Sequence, residues 1–290
     1  MIDIQLNTLP GLEHLADTDV FPGNETPCPH TPVRKKEFVF RPDLVNKILG
    51  WLTCPSDDGL LFFGDMGTGK SSTLRQLHAW LNRPLFSISG EEGMEFSDLH
   101  GTKEIIAGDT KALDGPMIDA AKFGGTFLFE EIDRAPERVS VGLNSVLDGY
   151  PIRTLDGGEI VTPRPGFKVA ATANTSGSGD MTGNYNTSNV MDSSLMDRFW
   201  SVQVPYPTED QELTILERAF GDVFPSELLR RSIALANDIR HLSAGNPERA
   251  SNKASKYHDQ SIDTTFSTRA LLRTLQVMGT FGSVSNPLYH

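Results

Sequence analysis

Eight consecutive residues, Gly64-Asp65-Met66-Gly67-Thr68-Gly69-Lys70-Ser71, follow directly on the apolar run Leu60-Leu61-Phe62-Phe63. Their spacing, G-x-x-x-x-G-K-[ST], suits a loop that wraps phosphate. Its glycines let successive backbone N–H groups turn inward, its lysine reaches the terminal phosphates, and its hydroxyl serves Mg²⁺. A helix expected over about 70–81 adds the positive end of its dipole to the same place. Gly64 to Ser72 are therefore the expected contacts of a bound ATP, with Ser71 on the metal. A purely structural glycine-rich turn is the alternative, and the strand–loop–helix context argues against it.

A second group of residues carries the complementary chemistry. The buried-strand pattern Thr126-Phe127-Leu128-Phe129 runs into Glu130-Glu131, which places two carboxylates at one end of a sheet, where open α/β folds bind ligands. Glu130 is expected beside Mg²⁺, and Glu131 is expected to orient or activate water for attack on the γ-phosphate. An acidic pair at a strand end is ordinary surface by itself; the preceding phosphate loop gives this one meaning. Glu130 stands where most phosphate-loop ATPases carry Asp and is longer by one methylene, which bears on metal geometry and on turnover.

The elements that must hold these residues alternate along the chain. Helical spacing of Leu44, Ile48, Leu49 and Leu52 precedes a strand at 60–63. Further strands are expected at 85–88, 126–129 and 168–172, with helices at 116–123 and around 137–148. Short apolar strands alternating with helices predict an α/β fold with a doubly wound parallel sheet. Two segments break the alternation: Phe96 to Asp114, and a hairpin in which Ile152-Arg153-Thr154 turns at Asp156-Gly157-Gly158 into Glu159-Ile160-Val161. Pro10, Pro22, Pro27, Pro29 and Pro32 predict an extended arm over residues 1–37 with little regular structure. Beyond Pro207 the strand signals cease. Thr208 and Gln211 form a capping box, and a small α-helical lid is expected over 207–290, interrupted by a polar loop from Ser243 to Asp263. The nucleotide-binding domain then spans 38–206.

Composition narrows the function. Lys and Arg number 26 against 38 Asp and Glu, a formal charge of −12, which disfavours a broad footprint on DNA or RNA. Cys28 and Cys54 are the only cysteines, so neither a disulfide framework nor a structural zinc site is indicated, and Cys28-Pro29-His30 has no second half of a metal site. No apolar run reaches membrane-spanning length, and the first residues lack a signal pattern, so a cytoplasmic protein is expected.

Gly124-Gly125-Thr126-Phe127-Leu128-Phe129-Glu130-Glu131-Ile132-Asp133-Arg134-Ala135-Pro136 resembles the second nucleotide motif of AAA+ ATPases of the MoxR-type branch. Ala171-Thr172-Ala173-Asn174 resembles their sensor-1 strand, Leu195-Met196-Asp197-Arg198-Phe199 their arginine-finger helix, and Ser267-Thr268-Arg269-Ala270 their sensor 2. The resemblance covers about residues 38–280. It implies that Asn174 positions the attacking water, that Arg198 reaches the nucleotide of a neighbouring subunit, and that Arg269 reports nucleotide state to the lid. It also makes 96–114 a helix-2 insert and 151–162 a pre-sensor-1 hairpin. The run from Ala173 to Tyr185 is similar to the sensor-1 loop of the ATPase subunits of aerobic cobaltochelatases, although Glu130 and the early end after sensor 2 depart from them. Such subunits imply a homo-oligomeric, hexameric ring and a separate partner with a von Willebrand factor A domain. Arg134 is expected to pair locally with Glu131 or Asp133, and Arg153 to sit on a solvated hairpin.

The reading that results is a ring-forming, Mg²⁺-dependent ATPase that remodels a partner or client. One alternative is a slowly hydrolysing, nucleotide-dependent binding module. The other is a nucleic-acid motor, for which Lys103, Arg153, Arg164 and Lys168 are the candidate basic residues.

Overall fold

The computed structural model describes residues 1–106, 109–154, 159–176, 189–244 and 266–283. Its elements in chain order are β1 (Ile2–Gln5), β2 (Val20–Gly23), α1 (Pro42–Thr53), β3 (Gly59–Phe63), α2 (Lys70–Trp80) and β4 (Leu85–Ser89). The middle of the chain adds α3 (Phe96–His100), β5 (Gly101–Ile106), β6 (Asp109–Asp114), α4 (Pro116–Phe123), β7 (Thr126–Glu130), α5 (Glu137–Ser140) and α6 (Asn144–Leu147). Then come β8 (Ile152–Arg153), β9 (Ile160–Val161), β10 (Lys168–Ala173), α7 (Ser193–Met196) and β11 (Phe199–Gln203), followed by α8 (Glu209–Phe220), α9 (Ser226–Ser243) and α10 (Thr268–Ser283). Two compact units result. One contains Met1–Lys36, Phe40–Gly64 and Gly69–Val204; the other contains Glu37–Val39, Asp65–Thr68 and the chain from Pro205 onward.

The first unit is built on a five-stranded parallel sheet in the order β11-β3-β10-β7-β4. Parallel strands covered on both faces need apolar residues at consecutive positions, and Leu60, Leu61 and Phe62 of β3 and Phe127, Leu128 and Phe129 of β7 are all fully buried. On one face Phe127, Phe129, Val169 and Ala171 pack against Met117, Ile118, Leu143 and Leu195. Leu44, Ile48, Leu74 and Leu77 of α1 and α2 are buried as well. Truncating Phe127 to Ala in such a core costs about 3–5 kcal/mol. Pro42 and Pro116 begin α1 and α4 at positions where a missing N–H is harmless, and left-handed Gly124 (φ 71°) ends α4.

Several elements differ from the sequence-based expectation. No strand was expected at 199–203, yet β11 pairs in parallel with β3 from Phe199↔Gly59 to Gln203↔Phe63. Gly59 permits this pairing, since a Cβ there would lie 2.4 Å from the Phe199 ring. The N-terminal segment is not merely extended: β1 and β2 pair antiparallel, and a two-stranded ribbon, being all edge, tolerates Pro22. The helix expected over 137–148 is broken into α5, a 3-10 turn at Val141–Leu143, and α6. Gly142 in that turn faces the Phe96 ring, 2.4 Å from where a Cβ would stand. Segment 96–114 folds as α3 and the antiparallel hairpin β5–β6. β8 and β9 pair antiparallel, and the turn at 156–158 lies outside the described residues.

In the second unit α8, α9 and α10 bury Leu213, Leu216, Leu229, Ile233, Leu271 and Leu275 against one another. The capping box is present, with Thr208 Oγ1 accepting from the Gln211 N–H at 3.3 Å and Gln211 Oε1 accepting from the Thr208 N–H at 3.1 Å. Helix α9 runs through Ser243; the remainder of the polar loop, 245–263, lies outside the described residues. Glu212, fully buried, accepts two hydrogen bonds from Arg240 (2.8 and 2.9 Å) and one from the Thr268 hydroxyl (2.7 Å). Arg240 also donates to the Phe266 carbonyl and lies 4.4 Å from the Tyr206 ring centre, so one ion pair ties together α8, α9 and the start of α10.

Candidate nucleotide site

The chain leaves β3 at Gly64 and enters α2 at Lys70 through a loop whose glycines take backbone angles that side chains disfavour. Gly64, Gly67 and Gly69 have φ of +141°, +80° and +96°. A Cβ on Gly64 would also stand 2.5 Å from the Val204 carbonyl oxygen. Lys70, the first residue of α2, is buried and donates from Nζ to the Gly64 carbonyl and to Asn174 Oδ1 at 3.2 Å. Ser71 Oγ and Thr172 Oγ1 lie 3.4 Å apart, and half-buried Ser72 completes the first turn of α2. In the second unit, exposed Asp65 accepts from Thr68 Oγ1 through its carbonyl at 3.0 Å, and the carbonyl of exposed Met66 accepts from the Tyr206 hydroxyl at 3.1 Å. There too a Cβ on Gly67 would lie 2.5 Å from Ser267 Cβ and 3.7 Å from Arg269 Cβ.

At the carboxyl end of β7 the two acids point to different partners. Glu130 is largely buried and forms an ion pair with Arg75 of α2, which also donates to Ser87 Oγ at 2.8 Å. Glu131 takes the left-handed conformation (φ 50°), a strain of about 1–2 kcal/mol in a non-glycine residue. Its N–H donates to Thr172 Oγ1 at 3.2 Å, and its carboxylate pairs with Arg134 at 2.8 Å, as the local pairing expected for Arg134 required. The hydrogen bond to Glu131 holds the Arg134 guanidinium above its ordinary range. Asp133, fully buried, accepts through Oδ2 from the N–H groups of Asn174 (2.9 Å) and Thr175 (3.2 Å) and from the Thr175 hydroxyl. The Asp133 carbonyl accepts from the Asn189 N–H at 2.7 Å. The turn after β7 thus fixes Asn174 at the end of β10. The segment 177–185, part of the cobaltochelatase resemblance, lies outside the described residues.

The structure brings Lys70, Ser71, Glu130, Glu131 and Asn174 to the same end of the sheet. Arg198 is not in a helix, because α7 stops at Met196; the residue occupies the turn into β11. Its guanidinium makes a two-pronged pair with Asp148 (2.7 and 3.0 Å) and donates to the Ser194 carbonyl at 2.7 Å. That hydrogen-bonded pairing pushes Arg198 up and holds the Asp148 carboxyl below the usual carboxylate range. Arg269, in the second unit, is exposed in the first turn of α10 and makes no ion pair with another described residue.

Donor chemistry decides what such a site can hold. Gly64 and Gly69 with their positive φ, the buried ammonium of Lys70 and the start of α2 fit an oxyanion of phosphate type. Among the described residues no group of three or more His, Cys, Asp or Glu side chains could hold a metal ion by itself. Mg²⁺ suits this place only with phosphate oxygens completing its shell, which is its common manner of binding. The Cys28–His30 segment is structural: the His30 ring stacks on Phe86 at 4.4 Å and meets Phe123 edge-on at 4.9 Å. Arg75, Thr172, Asp133 and Asp148 were not anticipated. Only Arg75 left a signal, lying four residues after Ser71 on the same helix face.

A parallel sheet in this order, with a glycine loop between its interior strand β3 and α2 and an acid-tipped β7, defines a phosphate-loop nucleotide-binding fold. Residues 59–199 match the family AAA domain (dynein-related subfamily). That segment, just under half of the chain, is similar to the AAA domains of this family. It is 32% identical over 160 residues to the aerobic cobaltochelatase subunit CobS of Sinorhizobium sp, covering 53% of this chain and 48% of that one. To protein NorQ of Paracoccus denitrificans it is 28% identical over 167 residues, with 57% and 59% covered. To protein CbbQ of Hydrogenophilus thermoluteolus it is 25% identical over 184 residues, with 63% and 66% covered. The chain thus spans between about half and two-thirds of the length of these relatives. Among the described residues no helix is long and apolar enough to cross a membrane.

Proposed function

We propose that the chain is a cytoplasmic, Mg²⁺-dependent ATPase that acts as a ring, with hexamer the expected size, and remodels a client together with a separate von Willebrand factor A partner. One observation carries the hydrolytic reading: Thr172 Oγ1 stands between Ser71 Oγ (3.4 Å) and the Glu131 N–H (3.2 Å), so the phosphate loop and the acid turn meet on one hydroxyl. Lys70, already in contact with Asn174, exchanges that neutral partner for the terminal phosphates. Glu131, freed from Arg134, accepts a proton from the attacking water, and Asn174 holds that water in line. Ser71 and Glu130 are the residues that would hold Mg²⁺, which supplies charge neutralisation at the phosphate oxygens. Arg198 serves the neighbouring subunit's nucleotide and Arg269 couples its own to the helical unit. The partner-dependent part draws on the likeness to a protein that is itself named as a subunit. Phosphate release by the unsubstituted chain, abolished in Glu131→Gln, tests the hydrolytic reading.

A second reading, a nucleotide-dependent binding module with slow turnover, draws on the ion pair that engages Glu130. The nucleic-acid motor is disfavoured by the formal charge of −12 and by Lys168, whose ammonium is spent on the Cys54 and Ser56 carbonyls.

A further inference from the structure

Arg75 lies one turn beyond Ser71 on α2, on the face that meets the ends of β4 and β7. Its guanidinium bridges Ser87 Oγ and the Glu130 carboxylate, and the Glu130 side chain is only 18% exposed, so the pair is partly shielded from water. This is the carboxylate that the nucleotide reading assigns to the metal. The two demands conflict, because a guanidinium and a divalent cation repel each other and one carboxylate oxygen cannot serve both at full strength. The sequence departure at this position fits the pairing. An Asp at 130 would withdraw the carboxylate by up to about 1.5 Å, one carbon–carbon bond, and lengthen its reach to Arg75.

We propose that Arg75 is a positioning residue that holds Glu130 in competition with the divalent cation, so that Mg²⁺ engages the site only by drawing Glu130 from the guanidinium. The proposal rests on the nucleotide reading above. It makes Mg²⁺ demand a property set by an arginine outside both nucleotide motifs, and it gives the longer acid beside the phosphate loop a physical role.

Titration of Mg²⁺ into the full chain with a fluorescent ATP analogue measures the competition without turnover, and Mn²⁺ titration followed by electron paramagnetic resonance measures the cation directly. Arg75→Gln should lower the cation midpoint about three- to fivefold, the upper end for a partly exposed ion pair, while analogue affinity in EDTA stays near that of the unsubstituted chain. Glu130→Asp should lower it as well, and adding Arg75→Gln to Glu130→Asp should change little, since the pair is already broken. Arg75→Lys, which keeps the charge and loses the fork, should fall between, and supplies the comparison should Arg75→Gln not fold. A midpoint in Arg75→Gln and Arg75→Lys within twofold of the unsubstituted chain, with analogue binding in EDTA intact, overturns the inference alone. Absence of any analogue binding by the unsubstituted chain overturns the nucleotide reading and the inference together.

Discussion

Replacing Glu212 with Gln removes one charge from the second unit while keeping its shape. Arg240 then remains 8% exposed with a guanidinium that had donated to both carboxylate oxygens, and the Thr268 hydroxyl loses a charged acceptor. An amide returns one acceptor and presents an N–H₂ group to a guanidinium that has only donors to offer. Removing one member of a buried, hydrogen-bonded ion pair costs about 3–5 kcal/mol, because the other charge stays behind unneutralised. The same unit supplies its own control. Arg231 and Glu227 pair at 2.9 Å with exposures of 77% and 68%, so Glu227→Gln should cost no more than about 0.5 kcal/mol. Hydrogen exchange read by mass spectrometry over α8, α9 and α10 reports the opening of this unit by itself. Glu212→Gln should accelerate it by about two to four orders of magnitude, up to the limit set by the unit's total stability. Protection in Glu212→Gln equal to that in Glu227→Gln would refute the reasoning, since burial would then add nothing to the pair.

Other outcomes follow from the first unit and from the loop. Lys70→Ala should weaken binding of a fluorescent ATP analogue, whereas Glu131→Gln should bind it and release no phosphate; equal loss of affinity in both would collapse their separate roles. Arg198→Ala should bind nucleotide almost normally yet hydrolyse it about 10³–10⁵-fold more slowly, and mixing it with Lys70→Ala should restore part of the activity once subunit exchange is demonstrated. Gly67→Ala meets a φ of +80° and the Ser267 side chain, so analogue affinity should fall without loss of helical content by circular dichroism. His78 is fully buried between the Leu74 carbonyl and Thr126 Oγ1, and burial lowers its pKa from 6.5 to about 4. Below pH 6.5 the unfolded chain takes up a proton that the folded chain refuses, so stability should fall as pH drops from 6.5 to 4. The full loss is roughly 3 kcal/mol, and denaturation of His78→Gln should lack this slope.

What could be read from the sequence was whatever a local pattern encodes. β3, β7 and β10 each carry an unbroken apolar run because both faces of a parallel strand are covered, and the phosphate loop is a contiguous spacing. β11 escaped because Trp200, Ser201 and Gln203 are exposed at the sheet edge, which removes the apolar run. The β1–β2 ribbon escaped because Pro22 counts against a strand everywhere except at an edge. Residues that act through distant partners left almost no trace. Asp133 reads as one more acid after β7, and only the fold carries its carboxylate to the backbone of Asn174, 41 positions away. Glu212 and Arg240 are 28 residues apart on two amphipathic helices whose polar positions read as solvent-facing. Arg198 was legible as a residue and misplaced as a helix, since α7 ends after one turn.

The turn after β7 also settles how freely the chain can change between Thr175 and Asn189. Both residues are anchored on Asp133, one through its side chain and the other through its carbonyl, so the two described ends that flank 177–188 meet at a single hub. A connection closed at its base pays little for growth, with each doubling of length adding only about 0.6 kcal/mol of closure entropy. Exchanges within 177–188 should therefore leave the contact between the Asn174 N–H and Asp133 in place.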